Sequence, residues 1–182
     1  MELIADLVDV YFKKQISIEV FIDKLGIYED EFSDSLLCEM VMAFKSQDAE
    51  RLGYLIYALS LWDDRMGEQN ENELEKFLDI LNELLISNWH YKHEDITWFL
   101  QKISSDKSIK YLYDAIELHP EYLAWDDNYS FEVKCVRGIY YIGREKSYSY
   151  LEKLCKHSNE VIREMAQRQI KKIDVRKQVD NG

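Results

Sequence analysis

The chain holds one proline and six glycines in 182 residues. Tight turns draw on those two residues more than on any others, so the many-turned chain of an all-β protein is excluded and helices are the default. No apolar run approaches the roughly 18 residues that a membrane-crossing helix needs, and no membrane partner is expected. The opening Met1-Glu2-Leu3-Ile4-Ala5-Asp6 lacks the basic flank and small-residue cleavage site of a secretion signal, so the expected location is cytoplasmic. Cysteine is scarce too. Cys38, Cys135 and Cys155 are odd in number, widely spaced and set among apolar residues, which points to buried free thiols and away from disulfides or a metal cage. Glycine-rich phosphate loops are missing, since Gly138 and Gly143 stand alone, and no Gly-x-Ser-x-Gly turn presents a nucleophile. No catalytic centre, cofactor or enzyme activity is expected.

What the chain does have is apolar mass and acid. At 47% hydrophobic residues it can bury a sizeable core, and its length suits one helical domain over 1–182. The net charge is −12, unevenly spread: residues 1–100 carry 22 Asp/Glu against 8 Lys/Arg, whereas residues 101–182 carry 13 against 15. An acidic field of this kind repels nucleic acid and steers cationic proteins inward, although plain solubility needs such charge as well.

Helical periodicity runs through the amino-terminal half. A first helix is read through Leu3, Leu7 and Val10-Tyr11, and a second through Ile18, Phe21 and Leu25, ended by Gly26. After the acidic segment Glu29-Asp30-Glu31, a helix follows through Leu36, Met40 and Phe44, then another from Asp48, its cap, to Trp62. Beyond a polar loop over 65–72, the stretch from Leu74 to Leu85 predicts about four continuous turns.

From His93 the pattern repeats. Ile96, Leu100, Ile103, Ile109, Leu112 and Ile116 return 39 residues later as Cys135, Ile139, Ile142, Tyr148, Leu151 and Cys155. The second triplet returns again after 31 residues as Ala166, Ile170 and Ile173, the shorter step omitting a loop at His119 to Asn128. Short turns at Ser105-Asp106 and Gly143-Arg144 separate the halves of each hairpin, and Asn159 to Ala166 opens a last helix. These residues resemble HEAT repeats. The resemblance implies an all-α fold, a short right-handed solenoid of HEAT-like antiparallel hairpins: degenerate hairpins over 1–92, then clearer repeats over 93–178 capped by a final helix. Lys171-Lys172 and Arg176-Lys177 belong to its solvated face. Stacked hairpins bury one another's apolar faces and leave an extended surface for binding.

Three constellations are candidates for chemistry. His90 and His93 lie near Glu94 and Asp95, but their spacing is not that of a helical zinc pair, and the segment reads as a loop entering a helix; no metal is expected. Trp-Asp-Asp occurs twice, as Trp62-Asp63-Asp64 and Trp125-Asp126-Asp127, both read as inter-helix loops. Paired carboxylates can serve general acid-base or Mg²⁺ chemistry, a packed Trp beside solvated acids is equally ordinary, and an aromatic anchor beside charge also suits a protein interface. With Ile96, Leu100 and Ile103 inward, Trp98 and Gln101-Lys102 point outward; their counterparts are Arg137 and Tyr140-Tyr141, then Arg168. Such a stripe has the composition of an interface hot spot, or of packing against a further helix.

The stretch Asp9-Val10-Tyr11-Phe12-Lys13-Lys14-Gln15-Ile16-Ser17-Ile18-Glu19-Val20-Phe21-Ile22 is similar to the opening of small helical immunity proteins of bacteria. That resemblance implies a protein-binding inhibitor that neutralises a cognate toxin domain, possible targets including basic nucleases, by steric and electrostatic blocking. The expected partner-binding residues are Asp63, Asp64, Trp98, Trp125, Asp126, Asp127, Arg137, Tyr140 and Tyr141. An adaptor or regulatory scaffold would use the same surface, and a HEAT-like DNA-repair glycosylase would need a basic groove against the acidic total.

Overall fold

A computed structural model describes residues 3–27, 31–67, 71–143 and 146–180. Among these residues the regular elements are helical and no strand forms. None of their helices is long and apolar enough to cross a membrane. Glu29, Asp30, residues 68–70 of the polar loop, Arg144 and the Arg176-Lys177 side chains lie outside what is described. The chain divides into two compact units, residues 1–80 with 89–92 and residues 81–88 with 93–182.

In the first unit, α1 (Ile4–Phe12) packs on α2 (Ile18–Leu25), α3 (Phe32–Ser46) and α4 (Ala49–Met66). Leu7, Val8, Phe21, Leu36, Met40, Leu55 and Leu59 fill the core. The expected caps form: Gly26 ends α2 in the left-handed conformation at φ 62°, and the Asp48 carboxylate accepts the Arg51 N–H at 2.9 Å to open α4. Helix α1 is capped from a distance. Leu3 has no side-chain acceptor to offer, so buried Glu39 of α3 takes the Ile4 and Ala5 N–H groups at 2.7 and 3.3 Å and the Arg51 guanidinium at 2.9 Å.

The continuous helix expected over Leu74 to Leu85 is instead α5 (Glu71–Leu74), a 3₁₀ turn (Glu75–Phe77) and α6 (Leu78–Leu85). Helix α4 does not stop at Trp62, so Trp62-Asp63-Asp64 is its last turn and not a loop. Asp63 follows Ile56 and Leu59 by seven and four positions, which places it on their buried stripe at 2% exposure, while Asp64 is exposed.

The second unit carries α7 (His93–Ile103), α8 (Ser108–Ala115), α9 (Ser130–Gly143), α10 (Tyr148–Leu154) and α11 (Glu160–Asp180). The recurring triplets point inward: Ile96, Leu100, Leu112, Ile116, Cys135, Ile139, Leu151 and Ala166 are fully buried, and Ile103, Cys155 and Ile170 are half-buried. Helix α9 is the hub, in contact with α7, α8, α10 and α11. Its approach to α8 depends on Gly143, where an added Cβ would come within 2.5 Å of Ile109 Cδ1 and 2.9 Å of Ser147 Cβ.

Candidate functional site

Three helices of the second unit lift side chains to one side of it. Helix α7 contributes Glu94, Trp98 and Gln101; α9 contributes Lys134, Arg137 and Tyr141; α11 contributes Met165, Arg168, Gln169 and Lys172. Within each set the spacing is that of one helical face, because residues three, four and seven apart align along a helix. Together they bound an open groove of about 560 Å³, a volume within the range of roughly 300–1,000 Å³ at which proteins hold ligands.

The groove is aromatic and cationic. Trp98 and Tyr141 keep 50% and 56% of their surface exposed, unusual for side chains this large. Four cations face one carboxylate. Lys134 pairs with that carboxylate, Glu94, at 2.6 Å; Arg168 pairs with Glu164 of its own helix at 3.1 Å, both partners well exposed. Lys172 donates to Gln169 at 3.2 Å and stands 5.5 Å from the Tyr140 ring centre. The Arg137 guanidinium is exposed and takes no hydrogen bond or ion pair among the described residues. Exposed ion pairs of this kind hold their partners weakly, so the cations stay available to an incoming anion. The Gln101 amide donates to the Lys134 carbonyl at 3.3 Å, which fixes the side chain and turns its own oxygen into a placed acceptor.

No family model, curated protein or solved structure matches the chain. Function is therefore read from the chemistry of the groove itself.

Of the residues expected to bind a partner, Trp98, Arg137 and Tyr141 converge here, joined by Arg168. Tyr140 does not. It is 3% exposed, its ring edge-on to Tyr141 with centres 5.2 Å apart, because four neighbouring helices leave α9 only a narrow open face. Asp63 and Asp64 belong to the first unit, and Asp63 is turned into it. Trp125, 78% exposed, and Asp126-Asp127 do lie in a loop, after a 3₁₀ turn (Glu121–Leu123). The two acids line a separate crevice of about 110 Å³ with His119 and Glu132. Asp126 is occupied there by the chain itself: its carboxylate accepts the N–H groups of Ser130 at 2.7 Å and Asn128 at 3.0 Å, opening α9. The Ser130 N–H above all holds this carboxyl below its usual range. The carboxylates thus do not gather with the rings. Sequence reasoning missed Lys134, Met165 and Lys172, although Lys134 stands three positions before Arg137 and Lys172 four after Arg168, a spacing that names them.

His93 is buried and fully engaged. Its Nε2 lies 2.8 Å from the Ser87 carbonyl, which can only accept, so Nε2 carries the proton and Nδ1 faces the Tyr122 hydroxyl at 3.2 Å. Burial pushes the Tyr122 phenol up to about 12. Neither ring nitrogen of His93 offers a lone pair to a metal, and no cluster of three or more metal-binding side chains occurs among the described residues.

Proposed function

We propose that this chain is a protein-binding module built as a short HEAT-like solenoid, and that it works as an inhibitor of the immunity-protein kind, covering the working face of a cognate toxin domain. The observation that carries this reading is the convergence on one groove of Trp98, Arg137 and Arg168, equivalent positions by the sequence repeat, together with Tyr141. Aromatic rings and arginines are the side chains that dominate interface energetics, since they combine large contact area with hydrogen-bonding tips. The electrostatic part of the expectation changes sign at this face. Asp63 is buried and Asp126 caps a helix, so capture of a basic nuclease by four free carboxylates loses two of them, whereas the groove favours an acidic contact.

The test is rescue. The chain is used to capture its partner from the native host, the partner is expressed in a susceptible strain, and growth is followed with wild-type chain or with Trp98→Ala/Tyr141→Ala. Wild type should restore growth and the double variant, equally folded by circular dichroism, should not. Full rescue by the double variant would discard the groove as the inhibitory face.

The four groove cations also favour a nucleic-acid reading, that of a HEAT-like DNA-repair protein. Binding of a labelled oligonucleotide at low salt, lost on reversal of Arg137 and Arg168, would support it over protein binding.

A further inference from the structure

The sign of the groove is opposite to that of the molecule. A chain of net charge −12 gathers Lys134, Arg137, Arg168 and Lys172 around two exposed rings, and its one groove-lining carboxylate, Glu94, is already paired. Scattered surface lysines on an acidic protein need no explanation, but four cations on adjacent turns of two helices repel one another. Lys134 and Arg168 have Glu94 and Glu164 beside them, whereas Arg137 and Lys172 have no carboxylate partner among the described residues, and an anion lying between these two would offset their repulsion.

We propose that the groove takes an acidic peptide segment of the partner, one that carries an aromatic or branched aliphatic side chain between its carboxylates. This rests on the protein-binding reading above. The apolar side chain lies against Trp98 and Tyr141, and flanking carboxylates reach Arg137 and Arg168, whose planar forks match a carboxylate in bidentate fashion. Gln101 suits a peptide. Held by the Lys134 carbonyl through one N–H, its amide presents an oxygen that accepts a peptide N–H, a donor the phosphodiester backbone lacks. Net charge separates them as well. A duplex brings one negative charge per about 1.7 Å and extends past the groove, where the remainder of the second unit carries 15 Asp/Glu against 11 Lys/Arg. A short segment brings a few carboxylates and stops within the groove.

The test measures fluorescence anisotropy of a labelled short peptide in which Asp and Glu flank one Trp and one Leu, titrated with the intact chain. Its Asn/Gln analogue, its Lys analogue and a single-stranded oligonucleotide of equal charge serve as comparison probes. The acidic peptide should bind about tenfold more tightly than the Asn/Gln analogue, weaken as salt is added, and lose binding on Arg137→Gln/Arg168→Gln. Both arginines are exposed, so the fold should survive, and an unchanged melting curve checks this. Equal binding of the neutral analogue, tighter binding of the oligonucleotide, or no binding of the acidic peptide overturns the proposal. The captured partner distinguishes the two levels: binding lost in Trp98→Ala/Tyr141→Ala but kept in Arg137→Gln/Arg168→Gln defeats the acidic segment alone, while binding kept in both defeats the groove.

Discussion

Each of the three cysteines meets a different environment, and their reactivity should separate accordingly. Cys135 is fully buried and its thiol is pushed far up by desolvation; Cys155 is half-buried and shifted in the same direction; Cys38 is exposed on α3, contrary to the expectation that all three would be hidden. Thiolate is the reactive form, so alkylation in the native state should mark Cys38 first, Cys155 slowly and Cys135 only on unfolding, as mass spectrometry of iodoacetamide-treated protein would read. Labelling of Cys135 at the rate of Cys38 would contradict the packing of α9. The residue scale is also where the sequence misled most. Asp63 sits at the helical spacing of Ile56 and Leu59, but its chemistry argued for solvent, and in the structure the position prevails over the residue type. Tyr140 was read from one inward face of α9, a rule that suits a helix with one buried side and fails for one with four neighbours.

At the scale of elements, what is local was legible and what is remote was not. Asp48 and Gly26 act within one turn of themselves, so a cap can be read from neighbours in the chain. Glu39 caps α1 across 35 residues, and nothing local marks it. The 3₁₀ turn at Glu75–Phe77 was hidden for a different reason: Leu74, Phe77, Leu78 and Leu81 keep an unbroken apolar face on either side of it. The close pairing of α8 with α9 gives a prediction. Gly143→Ala gains at most about 1 kcal/mol of helix propensity but drives a methyl into Ile109 and Ser147, an overpacking that costs about 1–3 kcal/mol. The midpoint of urea unfolding should therefore fall, and Ile109→Val, which removes the Cδ1 atom, should restore part of the loss. A higher midpoint for Gly143→Ala alone would show that the contact relaxes freely.

For the molecule as a whole, charge is partitioned along with structure. The first unit carries 19 Asp/Glu against 8 Lys/Arg, a net of −11, and the second 16 against 15, a net of −1. Self-repulsion among so many carboxylates is long-ranged and screenable, and added salt shortens its reach to about 10 Å at 0.1 M. The thermal midpoint followed by circular dichroism should rise from low salt to physiological salt. A fall would mean that ion pairs such as Arg51–Glu39 outweigh the repulsion. The inward face of the second unit was legible because an apolar triplet recurs in register from Ile96 to Ile173, and Trp98, Arg137 and Arg168, which share one position relative to those triplets, line the same groove.

The enclosure of α9 separates two kinds of position on a single helix. Nearly every side chain it owns is committed to holding four neighbours, while the exposed side chains at 134, 137 and 141 face the open groove. Those three can be exchanged without disturbing what the others hold. A scaffold so divided can alter what its groove meets by rewriting a few letters, its frame left as it was.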